Sequence, residues 1–112
     1  MANNFKLYTF DGSSTAANTA MAVYTAPAAT TTVVLGLTIS NTTASTLVFI
    51  DVKINNADGD EVFLVKGAPV PQGSSIEIMS GNKITLETGD GIIVYSNTLN
   101  SVDTIVSVME QS

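Results

Sequence analysis

The chain has no cysteine, histidine, tryptophan or arginine, and its only cations are four lysines, Lys6, Lys53, Lys66 and Lys83. Each absence removes a class of chemistry. Without His or Cys there is no Ser-His triad, no thiolate nucleophile and no ordinary zinc, haem or iron–sulfur site, so no metal and no cofactor is expected. Without Arg the main bidentate reader of guanine is missing, and four scattered lysines form no stripe to neutralise phosphates, so nucleic acid is not an expected partner. A chain without Trp lacks the best flat face for stacking on a sugar ring. The missing Cys fits either a reducing cytoplasm or a particle that survives outside the cell. Apolar runs are short, as in Leu47-Val-Phe-Ile50, and neither a membrane span nor the apolar stretch of a signal peptide is recognisable.

What remains is 112 residues, 45% hydrophobic and only 12% charged, with ten carboxylates against the four lysines for a net charge of −6. Soluble domains usually carry about 25% charged residues. An ordered surface this poor in charge must be built from Thr, Ser, Asn, Ala and Gly, or be covered by partners. The length suits a single domain able to bury a real core.

The i, i+3, i+4, i+7 spacing of an amphipathic helix fails along nearly the whole chain, whereas alternation with period two recurs. Val, Ile and Thr fall into short segments bounded by Gly, Asn, Asp and Pro. The pattern predicts strands near Phe5–Phe10, Met21–Tyr24, Thr32–Ser40, Thr46–Asn55, Glu61–Lys66, Ser75–Met79, Lys83–Glu87, Ile92–Ser96 and Val102–Glu110. The expectation is an all-β fold, an antiparallel β-sandwich of about eight short strands, with jelly-roll and immunoglobulin-like topologies both open and a closed barrel second. Residues 1–20 read as an N-terminal arm or first strand followed by a flexible polar loop, and 21–112 as the sandwich body.

Parity sets the expected turns. A three-residue loop Ala57-Asp58-Gly59 closed by Asn56 and Asp60 places Ile54 opposite Val62 and Val52 opposite Leu64, on one side of the sheet. Gly59 stands where such a loop needs positive φ. The same arithmetic predicts a hairpin around Ser80-Gly81-Asn82, pairing Ile78 with Ile84. Gly89-Asp90-Gly91 either closes a third hairpin or carries the chain between sheets. Pro69 and Pro71 cannot donate to a ladder, so Gly67–Gly73 reads as a surface arch or an edge.

Candidate chemistry is sparse. Asn55–Glu61 is rich in oxygen ligands, yet setting Gly59 at the sixth position of a calcium loop puts Ile54 first and Val65 twelfth, where carboxylates belong. Asp and Gly are what the turn needs for backbone reasons alone. Asp51, Glu77, Glu87, Asp90 and Asp103 supply carboxylates for glycoside hydrolysis, but nothing selects a pair, and Glu77 and Glu87 alternate outward beside Ile76, Ile78 and Leu86. No catalytic residue is assigned and the protein is not expected to be an enzyme. Phe5, Tyr8 and Phe10 place three of the seven aromatics in the first ten residues. They read either as part of a first strand with an alternating buried face or as an arm anchored on a neighbour. With the Pro69-Val70-Pro71 arch they are the candidate partner contacts.

The strings VYTAPAATTTVVLGLTISNTT (Val23–Thr43), VKGAPVPQGSS (Val65–Ser75), Gly89-Asp90 and VSVME (Val106–Glu110) resemble small virion structural proteins of tailed bacteriophages, of the marine and cyanobacterial type. The resemblance runs from about Val23 to Ser112, and the first twenty residues add only Ala2-Asn3-Asn4-Phe5-Lys6. It implies an accessory protein of the virion, made in the host cytoplasm, at the capsid surface, the neck, or the tail and its fibres. It carries over no catalytic residue. The expected partners are further copies of the chain, as a homo-oligomer and most simply a trimer, and virion proteins such as the major capsid protein. A carbohydrate-binding sandwich module is the alternative class.

Overall fold

The β-branched segments settle into strands and the Gly, Asn, Asp and Pro clusters into their connections. A computed structural model describes residues 2–112. Its strands are β1 (Asn3–Asp11), β2 (Met21–Thr25), β3 (Thr31–Asn41), β4 (Val48–Asn55), β5 (Glu61–Val70), β6 (Ser75–Glu77), β7 (Ile84–Leu86), β8 (Gly91–Ser96) and β9 (Val102–Gln111). One sheet runs β1-β9-β3-β6, with β7 also on β3, and the other runs β2-β8-β4-β5. Every pairing is antiparallel.

The pairings are nested: β1 with β9, β2 with β8, β3 with β6 and β7, and β4 with β5. This is one long hairpin folded at the β4–β5 turn. Rolling it up adds the contacts β9 with β3 and β8 with β4, which divide the ribbon into two facing sheets. That order is the jelly roll, so the open choice of topology resolves in its favour, and the two separate sheets exclude the closed barrel.

Between the sheets lies an aliphatic core. On β9 the even positions Val102, Thr104, Val106, Val108 and Glu110 face inward and are buried, while Ile105 faces out. On β3 the inward parity changes from Thr32 and Val34 to Leu37 and Ile39, because a β-bulge lies between Val34 and Gly36. Leu37, Ile39, Ile50, Leu86 and Ile92 are the bulkiest fully buried aliphatics. Each stabilises the fold by about 1.5–3 kcal/mol relative to an exposed side chain.

The β4–β5 hairpin follows the parity argument at its tip. The Asn56 N–H donates to the Asp60 carbonyl at 2.7 Å, Ile54 faces Val62, and Gly59 has φ 119°. Further along, an irregularity between Val52 and Lys53 places Val52 opposite Val65 instead of Leu64. Val62, at the hairpin tip, is 57% exposed.

One expected hairpin does not form. β6 and β7 form no hairpin with each other. Both lie end to end along β3, with Ile39 opposite Ile76 and Val34 opposite Ile84, so residues 75–86 act as one interrupted edge strand. The Ser80-Gly81-Asn82 turn is an excursion from that strand. A ladder to the long β3 satisfies more backbone groups than a three-residue β6–β7 pair would. Gly89-Asp90-Gly91 takes the other option open to it and carries the chain from β7 in one sheet to β8 in the other.

The Gly67–Gly73 segment takes the edge option of the two open to it, and Val70 within it is corrected. β5 continues through Pro69, which lies opposite Phe49 at the sheet edge, so the imide needs no outward partner. Val70 is completely buried and belongs to the core, which removes it as an exposed contact. Pro69 and Pro71 remain on the surface.

Candidate assembly surfaces

Phe5, Tyr8 and Phe10 lie on β1, which zips along β9 as an edge strand. Tyr8 and Phe10 turn inward and pack half-buried against the core, so neither is free to anchor on a neighbour. Phe5 has the opposite parity and is 78% exposed.

Tyr8 belongs to a cluster that fastens β1 to three other strands. Its hydroxyl donates to Glu110 Oε2 at 2.7 Å, and the Tyr24 hydroxyl donates to the same oxygen at 2.7 Å. Thr32 Oγ1 lies 2.8 Å from the Tyr24 hydroxyl, Lys6 Nζ lies 3.1 Å from Glu110 Oε1, and the two tyrosine rings meet edge to face at 4.9 Å. Glu110 is a buried carboxylate. Burial acts to raise its pKa, but the two phenols and Lys6 outweigh that and hold it below its ordinary 4.5. The hydrogen bond to Glu110 raises the Tyr8 phenol, burial pushes the Tyr24 phenol far up, and the Glu110 carboxylate raises the Lys6 ammonium. Such a cluster joins four strands and keeps its ions paired. Both of its acidic and basic members are committed to one another.

The other carboxylates near the strands also act on the backbone. Glu77, exposed as its parity requires, accepts the Leu37 and Met79 N–H groups at Oε1 and the Thr38 hydroxyl at Oε2. Burial raises its pKa and these donors bring it below the ordinary value. Asp90 accepts the Ala57 and Glu87 N–H groups, which lower its pKa and tie the β4–β5 tip to the inter-sheet crossing. Among the described residues no group of three or more Asp and Glu side chains is placed to hold a metal ion.

Two outer faces stand out. On the β2-β8-β4-β5 sheet, Lys53 Nζ lies 5.0 Å from the Phe63 ring centre and 5.3 Å from that of Tyr95, and Lys66 Nζ lies 5.1 Å from Phe63. Lys53 also pairs with Glu61 at 3.6 Å, and Phe49 is 41% exposed on the same face. Sequence reasoning missed this cluster, although the signal was present: pairing Ile54 with Val62 obliges Lys53 to face Phe63. The second face belongs to β1, β9 and β3. Phe5, Met109 and Val33 form one row across its three strands, and Leu7, Ser107 and Gly36 form the next. Leu7 is 64% exposed and Ile105 42%. No residue in either row is charged.

No family model matches the chain, and no curated protein matches it. Among solved structures it is similar to a chain in the structure of infectious bursal disease virus, Gx strain, at TM-score 0.52 and 7% identity over 97% of this chain and 31% of that one. It is also similar to a protein of Bacillus endospore appendages, described as a family of disulfide-linked pili, at TM-score 0.49 and 14% identity over 99% and 87%. A chain of the Gt strain of the same virus gives 0.38 and 9% over 97% and 41%. The 0.52 overlap bears on architecture alone, and this chain spans less than a third of that viral chain. Among the described residues no helix is long and apolar enough to cross a membrane.

Proposed function

We propose that this protein is a non-enzymatic structural subunit of a phage virion, with capsid decoration as its first location and the neck, tail or tail fibres as the second. It acts through further copies of itself and through virion proteins such as the major capsid protein. The supporting observation is the exposed apolar patch of Phe5, Leu7 and Ile105 on the outer face of β1 and β9, on a protein whose net charge is −6. Contiguous exposed apolar surface marks sites of association, and a subunit of a large shell needs little else. The phage resemblance of the strings from Val23 onward points the same way. Mass spectrometry and immunogold labelling of purified virions test the reading: the protein is expected on the particle, and its absence from purified virions overturns the proposal.

Glycan binding is the second reading. It is favoured by the Phe63 and Tyr95 rings grouped around Lys53 on the other sheet, with Phe49 exposed on the same face, where flat apolar faces adjoin hydrogen-bond donors. Binding to a glycan array, together with absence from virions, would put this reading first.

A further inference from the structure

We infer that the free backbone edge of β1 pairs with the same edge of a second copy of this chain, the two β1 strands running antiparallel about a two-fold axis at Leu7. The inference rests on the structural-subunit reading and names the partner of that edge.

The ladder shows which backbone groups are free. β1 ends its sheet and pairs with β9 alone. The Ala2 N–H donates to the Ser112 carbonyl at 2.9 Å and the Ser112 N–H to that of Ala2 at 3.1 Å, so Ala2 and Ser112 are a hydrogen-bonded pair. Hydrogen-bonded and open pairs alternate along an antiparallel ladder. Register is unbroken from Asn3 to Asp11, so Asn4, Lys6, Tyr8 and Phe10 bond to β9. Asn3, Phe5, Leu7, Thr9 and Asp11 turn their N–H and C=O groups away from it, toward the open side.

Among the described residues, the other sheet edges are blunted. β5 carries Pro69, Gly67 at φ 66° and two register irregularities against β4. β2 has 5 residues and a bulge between Ala22 and Tyr24, and β6 and β7 have 3 residues each. Such features are how a sheet avoids pairing with other chains. β1 has none of them: it is 9 residues long, with no Pro, no Gly and no bulge.

The spacing and charge of β1 select an inverted copy of itself. With Leu7 opposite Leu7 of the other copy, Phe5 faces Thr9 and Asn3 faces Asp11, so each outward N–H meets an outward carbonyl over the full strand. The only charged residues of β1 are Lys6 and Asp11. In this register Lys6 faces Tyr8 and Asp11 faces Asn3, and no like charges are opposed. Gln111 already donates to Asn3 Oδ1 at 3.0 Å, which leaves the Asn3 amide nitrogen as a donor for the Asp11 carboxylate across the axis. Moving the axis to Lys6 sets two lysines face to face, and moving it to Tyr8 leaves Asn3 and Asn4 beyond the end of the other strand. The Glu110 cluster holds β1 on β9 before contact, so little ordering entropy is lost on association. The contact is isologous and yields pairs of copies in place of the trimer expected from the sequence.

Sedimentation equilibrium at micromolar concentration and amide hydrogen exchange test this. The native chain should be a dimer, with the Phe5, Leu7 and Thr9 amides protected in it and exposed on dilution, while the Lys6 and Tyr8 amides stay protected throughout. Leu7→Pro removes an N–H that has no partner within the chain and sets a ring against the incoming strand, so it should fold as a monomer. Leu7→Ala keeps the N–H and should remain a dimer, weakened less than tenfold. A native monomer or trimer overturns the inference, a monomer leaving the edge to a strand of another virion protein. So does a dimer in which the Phe5, Leu7 and Thr9 amides exchange freely, a result readable on the native chain even if Leu7→Pro fails to fold. A folded Leu7→Pro that still dimerises, or a Leu7→Ala that is as monomeric as Leu7→Pro, overturns it too, since side chains would then carry the contact. Any of these outcomes with the protein present in purified virions leaves the structural-subunit reading standing. The paired edge with the protein absent from virions removes that reading and leaves the contact.

Discussion

Tyr8 and Glu110 lie 102 positions apart in the chain, yet the Tyr8 hydroxyl reaches the Glu110 carboxylate at 2.7 Å, closing the outermost pair of the rolled hairpin. In a jelly roll the first and last strands are paired last in the nesting and have the longest loop to close. A short charge-assisted hydrogen bond at that place fixes the register of β1, and Tyr24 makes the same bond from the opposing sheet.

Glu110→Gln should therefore destabilise the domain by about 1–3 kcal/mol in urea unfolding, because two phenols lose their ionised acceptor in a buried site. Tyr8→Phe removes one donor and leaves Tyr24 in place, so its cost should be smaller. Equal, negligible effects of both would show that the cluster does not hold the first strand.

The same groups set the pH range of stability. Glu110, Glu77, Asp90 and Asp11 are held below their ordinary values, so folding binds fewer protons than the unfolded chain in acid. Their contribution is complete above the ordinary carboxylate values of 3.8 to 4.5 and is lost as pH falls further. Lys6, Tyr8 and Tyr24 are raised, so theirs is complete below the ordinary values of 10.0 to 10.5 and is lost as pH rises above them. Melting temperature should be level between these limits and fall on both sides, and Glu110→Gln should flatten the acid limb. An acid limb identical in the variant would remove Glu110 from the account.

Gly59→Val should cost about 1–3 kcal/mol, since φ 119° strains a β-branched residue and no neighbouring atom lies close enough to add a steric term. Asp58→Ala should cost less: the Asp58 contribution at the turn is its backbone N–H, which donates to Asn56 Oδ1 and is kept in alanine. Urea unfolding of the two variants separates backbone strain from side-chain loss.

The strand positions were legible because alternation of Val, Ile and Thr is read directly by a sheet with one buried face. The tip of the β4–β5 hairpin was legible because parity and Gly59 agree on a loop length. What the sequence concealed depends on partners remote in the chain. Residues 75–86 look like two strands and a turn, and only the presence of β3 alongside makes them one edge. Val70 sits between two prolines and looks exposed, but the edge strand it ends turns it into the core. Glu110 reads as an ordinary polar end to a strand until the roll brings Tyr8, Tyr24 and Lys6 around it.

Gly12 illustrates the same limit and gives a further test. It lies in a polar stretch that reads as a flexible loop, yet it is buried, its N–H donates to Asp103 Oδ1 at 3.1 Å, and a Cβ there would overlap the Val102 carbonyl oxygen. Gly12→Ala must push the start of the β1–β2 connection away from β9 and should cost about 1–3 kcal/mol, as overpacking against backbone does. Ser13→Ala, one residue on at an exposed position, should be nearly silent because its backbone N–H still reaches Asp11 Oδ1 at 2.9 Å. A melting temperature unchanged in Gly12→Ala would show that this connection is as loose as its composition suggests.

Copy number per virion separates the two locations of the proposed function. A decoration layer draws its hold from many modest contacts, each copy adding to a lattice that is already present, so a small domain with an exposed apolar patch suffices. A neck or tail component occupies one end of the particle and must hold through a few contacts instead. Quantitative mass spectrometry against the major capsid protein should give hundreds of copies if the protein decorates the shell, and about a dozen or fewer if it belongs to the neck or tail. If the exposed Phe5 and Leu7 side chains form part of the attachment surface, Phe5→Glu/Leu7→Glu should lower the copy number. An unchanged copy number in that variant would mean that attachment runs through a different surface, and the Phe63, Tyr95 and Lys53 face would be the next to substitute.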